Sequence, residues 1–377
     1  MTPTRILVVD DEAGMRRAVE RVLGSRYQVA VTGSSREALE LASRTSPHLA
    51  ILDIRMPELD GFELMARLKQ RQPDLDVILM TGSVDDQDEK LVRAIRGAAF
   101  YFIQKPFDRD VLRTLVERCI ELRTRRDDNR RHVQRLEREL AEARTFQQSL
   151  LPPTDATLPG VRISCRLVPS SELGGDLYDY ACDRLGQTAL LIADVAGHGA
   201  SAAMLTGVVK AAFRASEPDG YEPMAVTDRV RAGVSSFGFE RFVTLIAAKV
   251  SLEPQQLTYV NAGHPAGLLW NAAGRRQWLS STGPLLSPAL ASVTKPCGVA
   301  WELGVLPYER GDHLLLYTDG LSEALARHPE DTRLLAVVAR HQDGGARLVE
   351  SLLAEVSRHG PTSTPEDDLT LLSAAFL

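Results

Sequence analysis

Short apolar runs at near-regular intervals constrain the first part of this chain more than any other feature. Ile6–Val9, Tyr27–Val31, Leu49–Leu52, Val77–Met80 and Ala99–Ile103 are each bounded by turn formers or charges. Runs of that length without polar alternation are expected of strands covered on both faces of a parallel sheet. Amphipathic stretches such as Ala13–Leu23 and Arg36–Arg44 lie between them and suit crossover helices. Residues 1–122 are therefore expected to form an α/β doubly wound domain of five parallel strands.

From Leu112 the period changes. Leu112, Leu115, Cys119, Leu122, Val133, Leu136, Leu140, Ala143 and Leu150 keep a three-four spacing, flanked by dense charges of both signs and stopped by Pro152-Pro153. This predicts a long linker helix over 108–150 with a coiled-coil seam, interrupted by the polar Arg126, Asn129 and Gln147. Polar seam positions fix register and oligomer state, so a parallel homodimer through this helix is expected; a single solvated helix is the alternative.

Residues 151–377 read differently again. Strand-like runs at Arg162–Val168, Thr188–Ile192, Phe242–Val250, Leu257–Val260, His313–Tyr317 and Leu369–Phe376 surround helical stretches at Ser201–Ala215, Pro223–Ser236 and Arg347–Arg358. Strands with segregated helices predict an α+β sandwich rather than a second parallel sheet.

Composition narrows the function classes. A chain of 377 residues with a net charge of −6 and 6% aromatics offers neither a general basic face nor stacking platforms, so no nucleic-acid partner is expected. Cys119, Cys165, Cys182 and Cys297 show no CxxC spacing, which suggests neither a zinc site nor a disulfide framework. Cys165 and Cys182 fall in strand-like runs and read as buried packing residues. No apolar run nears the ~20 residues that span a bilayer. The early burst Ile6–Val9 stops at Asp10-Asp11, too short for a secretory signal. No membrane partner and a cytoplasmic location are expected.

In an open parallel sheet, ligands gather at the carboxyl ends of the strands. Here those ends carry Asp10-Asp11, Asp53, Thr81-Gly82 and Lys105-Pro106. Taken alone, Asp10-Asp11 reads as a helix cap. Three carboxylates at adjacent strand ends repel unless a divalent cation such as Mg²⁺ sits among them. Asp53 is then placed to attack a phosphoryl group, with Lys105 and Thr81 contacting its oxygens. The constellation, with Asp53-Ile-Arg-Met-Pro57, resembles the receiver domain of two-component response regulators across residues 4–122. The resemblance implies that Asp53 is the phosphoacceptor and that Asp10, Asp11 and Asp53 hold Mg²⁺. It further implies that Thr81 and Lys105 read the phosphoryl group, that Phe102 is the switch aromatic, and that a sensor histidine kinase is the donor.

Four acidic motifs mark the last part of the chain: Gly174-Gly175-Asp176, Asp194-Val-Ala-Gly197-His198-Gly199, Thr318-Asp319-Gly320 and Glu366-Asp367-Asp368-Leu-Thr370. Singly, each reads as a turn. Together they offer the all-oxygen donors that suit Mg²⁺ or Mn²⁺, and a paired-cation site activates water and clamps a phosphoryl group. With Gln148-Ser-Leu-Leu-Pro152-Pro153 and Asn261-Ala-Gly-His264-Pro265, their order resembles the PPM-type serine/threonine phosphatases, in the bacterial branch that regulates sporulation and stress sigma factors. The resemblance implies that Asp194 bridges two Mn²⁺ or Mg²⁺ ions, with Asp176, Asp319, Asp367 and the Val195 carbonyl as further ligands. The implied substrate is phosphoserine or phosphothreonine on an anti-sigma factor antagonist protein. His198 and His264 read as packed-turn residues or as general acids. No phosphate-binding arginine stands out. The competing expectation is a non-catalytic adaptor that binds a sigma factor or anti-sigma component.

Overall fold

The computed structural model describes residues 3–82, 101–197, 199–236, 241–287, 301–325, 332–341, 344–359 and 367–377. The chain divides into two compact units, Met1–Leu136 and Glu137–Leu377.

In the first unit, β1 (Arg5–Val9), β2 (Gln28–Thr32), β3 (Leu49–Asp53), β4 (Asp76–Thr81) and β5 (Tyr101–Gln104) form a parallel sheet in the order β2-β1-β3-β4-β5. Helices α1 (Ala13–Leu23), α2 (Ser35–Thr45) and α3 (Gly61–Arg71) connect them, and α4 (Arg109–Leu150) follows. Successive residues of a strand face opposite ways, so a strand covered on both faces must be apolar throughout. Leu7, Val9 and Leu52 pack with Leu64 and Leu68 of α3, while Ile6, Val8 and Ile51 pack with Val19 of α1 and with α4. The strands Ala99–Ile103 and β5 overlap, but residues 83–100 lie outside the described ones.

The long helix is present, yet its first turns do different work from the seam expected of them. Leu112, Val116 and Cys119 are buried in the core of the first unit. That core already occupies the apolar face that the spacing assigned to a partner helix. Beyond it, Val133 and Leu136 are exposed at 44% and 45%, and Leu140 at 40%. Asp76, at the start of β4, accepts hydrogen bonds from Arg123 at 3.0 Å and Arg126 at 3.2 Å, fastening the middle of α4 to this unit.

The second unit opens with β6 (Asp155–Leu158), β7 (Val161–Val168), β8 (Asp176–Cys182), β9 (Thr188–Val195), α5 (Ala200–Arg214) and α6 (Pro223–Ser235). It continues with β10 (Val243–Ser251), β11 (Gln256–Ala262), β12 (Gly267–Trp270), β13 (Arg276–Leu279), β14 (Gly304–Pro307) and β15 (His313–Tyr317). Last come α7 (Asp319–Leu325), α8 (Thr332–Arg340), α9 (Gly345–His359) and β16 (Leu369–Phe376). The strands form two antiparallel sheets, β14-β11-β10-β9-β8 and β13-β12-β15-β16-β7-β6. Tyr178, Ile192 and Ile246 of the first sheet meet Ile163, Leu316 and Leu372 of the second in a shared core. Helices α5 and α6 cover the outer face of the first sheet, and α7, α8 and α9 that of the second. The result is an α+β sandwich of four layers.

Strand β8 carries a fully buried carboxylate, Asp179, which accepts from Lys210 Nζ at 2.8 Å and Arg214 Nε at 2.9 Å, both on α5. A buried charge is tolerated when it is paired and hydrogen-bonded in this way. Cys165 is buried as its run predicts. Cys182 is not: it closes β8, where the strand runs out into the Asp183 turn, and its thiol is exposed. Among the described residues, no helix is long and apolar enough to cross a membrane.

Candidate functional sites

The first candidate site lies at the carboxyl ends of β1 and β3. Asp10, Asp11 and Asp53 bring carboxylate oxygens within 4.8 Å of one another. Lys105 Nζ reaches both Asp10 at 2.6 Å and Asp53 at 3.0 Å. The other oxygen of Asp10 accepts the Glu12 amide at 2.9 Å, so the capping contact and the cluster coexist in one side chain. Arg16 Nη1 donates to the carbonyls of Asp10 and Asp11 at 2.6 and 2.9 Å, bracing that loop from below. Burial pushes the Asp53 carboxyl above its ordinary pKa, against the pull of Lys105. Burial pushes Lys105 down, but Asp10 and Asp53 outweigh it and hold the ammonium above its ordinary pKa. Thr81 is buried at the end of β4, and its carbonyl accepts the Lys105 amide at 2.6 Å. Phe102 is half-buried against the core under α3. Three clustered acids with all-oxygen donors fit a hard divalent cation such as Mg²⁺.

The second candidate site lies at one end of the sandwich. Asp176 on β8 and Asp194 on β9 stand opposite each other in register, in phase with Tyr178 and Ile192, which face the second sheet. From that second sheet, Asp319 opens α7 directly after β15, and Asp367 immediately precedes the residues leading into β16. A cleft of about 450 Å³ is lined by Asp194, Asp319, Asp367, Ser170, Gly197 and Phe242. Asp176 lies beside it, completely enclosed: its Oδ2 accepts from Thr318 Oγ1 at 2.7 Å and Thr370 Oγ1 at 2.6 Å. Unlike the first site, no three of these acids close to within 4.8 Å among the described residues.

Burial raises the Asp194 carboxyl to about 7, reinforced by Asp319, Asp367 and Asp368. Burial and the Asp194 charge hold Asp176 well above its ordinary value, and burial and Asp367 raise Asp319. Repelling carboxylates with raised pKa values are the condition that hard cations relieve. The donor set of carboxylates and a backbone carbonyl fits Mg²⁺ or Mn²⁺.

Neighbouring acids divide the work in the last motif. Asp367 is exposed and lines the cleft. Asp368 is buried; its Oδ1 accepts from the Ser170 amide at 2.7 Å and the Ser170 hydroxyl at 2.9 Å, and its Oδ2 from the Gly175 amide at 2.7 Å. Gly175 packs so closely that a Cβ there would strike the Val195 carbonyl oxygen. His264 is buried, its Nδ1 2.8 Å from Thr244 Oγ1, and burial lowers its pKa to about 3. It does not line the cleft. His198 lies outside the described residues.

Two residues at this site gave no usable signal in the sequence. Gln147, read as a polar break in the seam, donates from Nε2 to the Gly174 carbonyl at 2.7 Å and accepts the Gly174 amide at 3.3 Å. Arg241 donates from Nη1 to the Ala196 carbonyl at 2.7 Å, at the rim of the cleft. Gln147 immediately precedes the Gln148-Ser-Leu-Leu-Pro152-Pro153 motif and Arg241 precedes Phe242, but the main-chain partner of each is remote in sequence.

Known proteins resemble the two units separately. The response regulator receiver domain model matches residues 6–117, and the stage II sporulation protein E (SpoIIE) model matches residues 185–377. The C4-dicarboxylate transport transcriptional regulatory protein DctD of Pseudomonas aeruginosa is 36% identical over 121 residues, 32% of this chain and 26% of that protein. The phosphoserine phosphatase RsbP of Bacillus subtilis is 29% identical over 241 residues, 61% of this chain and 56% of that protein. The chain thus spans about a quarter of the first relative and just over half of the second. The SiaA-PP2C domain of Pseudomonas aeruginosa superposes with a TM-score of 0.55 at 19% identity, covering 65% of this chain and 99% of that domain. The sandwich of the second unit therefore has the PP2C fold.

Proposed function

This chain belongs to the family of stage II sporulation protein E and carries a response regulator receiver domain ahead of that region, and from that premise we propose that it is a regulated metal-dependent protein phosphatase. Its substrate is phosphoserine or phosphothreonine on a partner protein, an anti-sigma factor antagonist being the expected class. The observation that carries the reading is the group of carboxylates around the cleft, with Asp194 held to about 7 by burial and by Asp319, Asp367 and Asp368.

In this reading Asp194, Asp176, Asp319, Asp367 and the Val195 carbonyl are the groups that would hold two Mg²⁺ or Mn²⁺ ions. Bound ions of this kind lower the pKa of water and neutralise charge on a transferring phosphoryl group. The protein's own share is orientation. Thr318 and Thr370 spend their hydroxyls on one oxygen of Asp176 and leave the other for ligation. Gly175 leaves room for the Val195 carbonyl, and Asp368 fixes the Ser170 and Gly175 backbone beside the cleft. A neutral, enclosed His264 argues for a packing role rather than a general acid.

The receiver supplies the input. A sensor histidine kinase is the donor that would phosphorylate Asp53, and Asp10, Asp11 and Asp53 itself are the residues that would hold Mg²⁺. The added charge of about −1.5 to −2 is met by Lys105 and Thr81 and repacks Phe102. Helix α4 carries the change onward, and the exposed Val133, Leu136 and Leu140 support a homodimer along it.

The deciding experiment is Asp194→Asn. Mn²⁺-dependent hydrolysis of p-nitrophenyl phosphate and of phosphorylated antagonist protein should disappear while the circular dichroism spectrum is kept. A variant as active as the wild type would remove Asp194 from the chemistry.

A further inference from the structure

The cleft has a charge balance that its lining does not meet. Asp176, Asp194, Asp319 and Asp367 carry as much negative charge as two divalent cations carry positive. A phosphate monoester entering as a dianion therefore meets a centre with little positive charge to spare, and among the described residues none that lines the cleft is a lysine or arginine. Desolvating a dianion without a countercharge is strongly unfavourable.

Arg241 stands at the rim of this cleft. It immediately precedes Phe242, a lining residue, and its Nη1 donates to the carbonyl of Ala196, another. The guanidinium lies over Gly197, where a Cβ would collide with Nη1 and come within 3.3 Å of Cζ. Gly197 has a φ of +93°, in the left-handed region that favours glycine. The absence of a side chain there is what lets the guanidinium lie against the cleft lining. One N–H is used on Ala196, and an arginine has four more in a planar fork suited to phosphate oxygens.

We propose that Arg241 is the substrate-binding residue that receives the phosphate dianion of the phosphoprotein at the mouth of the metal cleft. The inference rests on the phosphatase reading above and deepens it by naming the group that supplies the missing countercharge. The Ala196 carbonyl pre-orients the fork. A charge-assisted contact of this kind corresponds to about tenfold in affinity or more.

The test uses the full-length protein and separates charge from bracing. Arg241→Gln keeps an N–H donor for Ala196 but carries no charge; Arg241→Lys keeps the charge without the fork. With Mn²⁺ and p-nitrophenyl phosphate, Arg241→Gln should raise KM and the inhibition constant of inorganic phosphate about tenfold, with kcat within about threefold. Arg241→Lys should fall between it and the wild type. Without turnover, inorganic phosphate added with Mg²⁺ should raise the melting temperature of the wild type more than that of Arg241→Gln. An active wild type whose Arg241→Gln variant keeps its KM and phosphate inhibition, or loses kcat alone, overturns this inference and leaves the phosphatase reading standing. A wild type inert with Mn²⁺ overturns both.

Discussion

Gln147 grips both backbone groups of Gly174: its amide nitrogen donates to the glycine carbonyl and its amide oxygen accepts the glycine N–H. Gly174 begins the turn that leads into Asp176, so the last turns of α4 are hydrogen-bonded to the approach to an acidic centre. The same nitrogen lies 3.4 Å from Thr206 Oγ1 on α5. A residue at the end of a connecting helix thus holds a turn whose shape sets where a carboxylate stands.

Gln147→Ala removes this grip. We expect a roughly tenfold loss of kcat/KM on p-nitrophenyl phosphate with Mn²⁺, the scale of two hydrogen bonds to a half-buried turn. Phosphorylation of Asp53 by acetyl phosphate should proceed at the wild-type rate. Steady-state kinetics beside a phosphoprotein gel checks both; unchanged kcat/KM would show that the grip is idle.

Asp367 and Asp368 should respond oppositely to neutralisation. Asp367→Asn is expected to abolish Mn²⁺-dependent turnover while leaving the melting temperature of metal-free protein unchanged or raised, since it relieves repulsion on Asp194 and Asp319. Asp368→Ala removes the acceptor for Ser170 and Gly175 and should cost about 2–3 kcal/mol of stability. Denaturant melts of the two variants side by side make the comparison, and equal stability would contradict the division of labour.

Input and output separate at Asp53. Asp53→Ala should retain Mn²⁺-dependent hydrolysis but lose any response to acetyl phosphate. The check is a rate measurement with and without the phosphodonor; a persistent response would place the input elsewhere.

Metal affinity at the second site should depend on pH. Asp194 is raised to about 7 by burial and by its acidic neighbours, so below that pH a cation competes with a proton. Apparent Mg²⁺ affinity is expected to rise up to about tenfold per pH unit between pH 5.5 and 7, then level off. The sign for stability runs the other way. Above its unfolded pKa the metal-free native state holds this proton longer than the unfolded chain, so the contribution weakens as pH climbs toward 7. Calorimetric titration of metal-free protein at stepped pH reads the first effect, and a flat profile would remove Asp194 from the ion's shell.

Much of this is legible in the sequence alone. The receiver strands announce themselves because both faces are covered and no polar residue interrupts them. The acids of the second site are legible because each stands at a strand end within three residues of a glycine or threonine. Strand β8 is hidden for a physical reason: Asp179 breaks its apolar pattern, and the cations that permit its burial lie 31 and 35 residues away. The spacing at the start of α4 points to a partner helix because three-four spacing is the same whether the covering surface is a second helix or a sheet, as Leu112 and Cys119 demonstrate. Gln147 and Arg241 bond to main-chain atoms, which leave no trace in residue identity.

The buried Asp179 has a mechanical corollary. It sits on the same strand as Asp176, three residues away, and is clasped by Lys210 and Arg214, so the C-terminal part of α5 is riveted to the middle of β8. These ion pairs tie the position of α5 to that of β8. The same strand that carries this clasp carries Asp176, so the anchoring that holds α5 in place also holds a candidate ligand carboxylate in place.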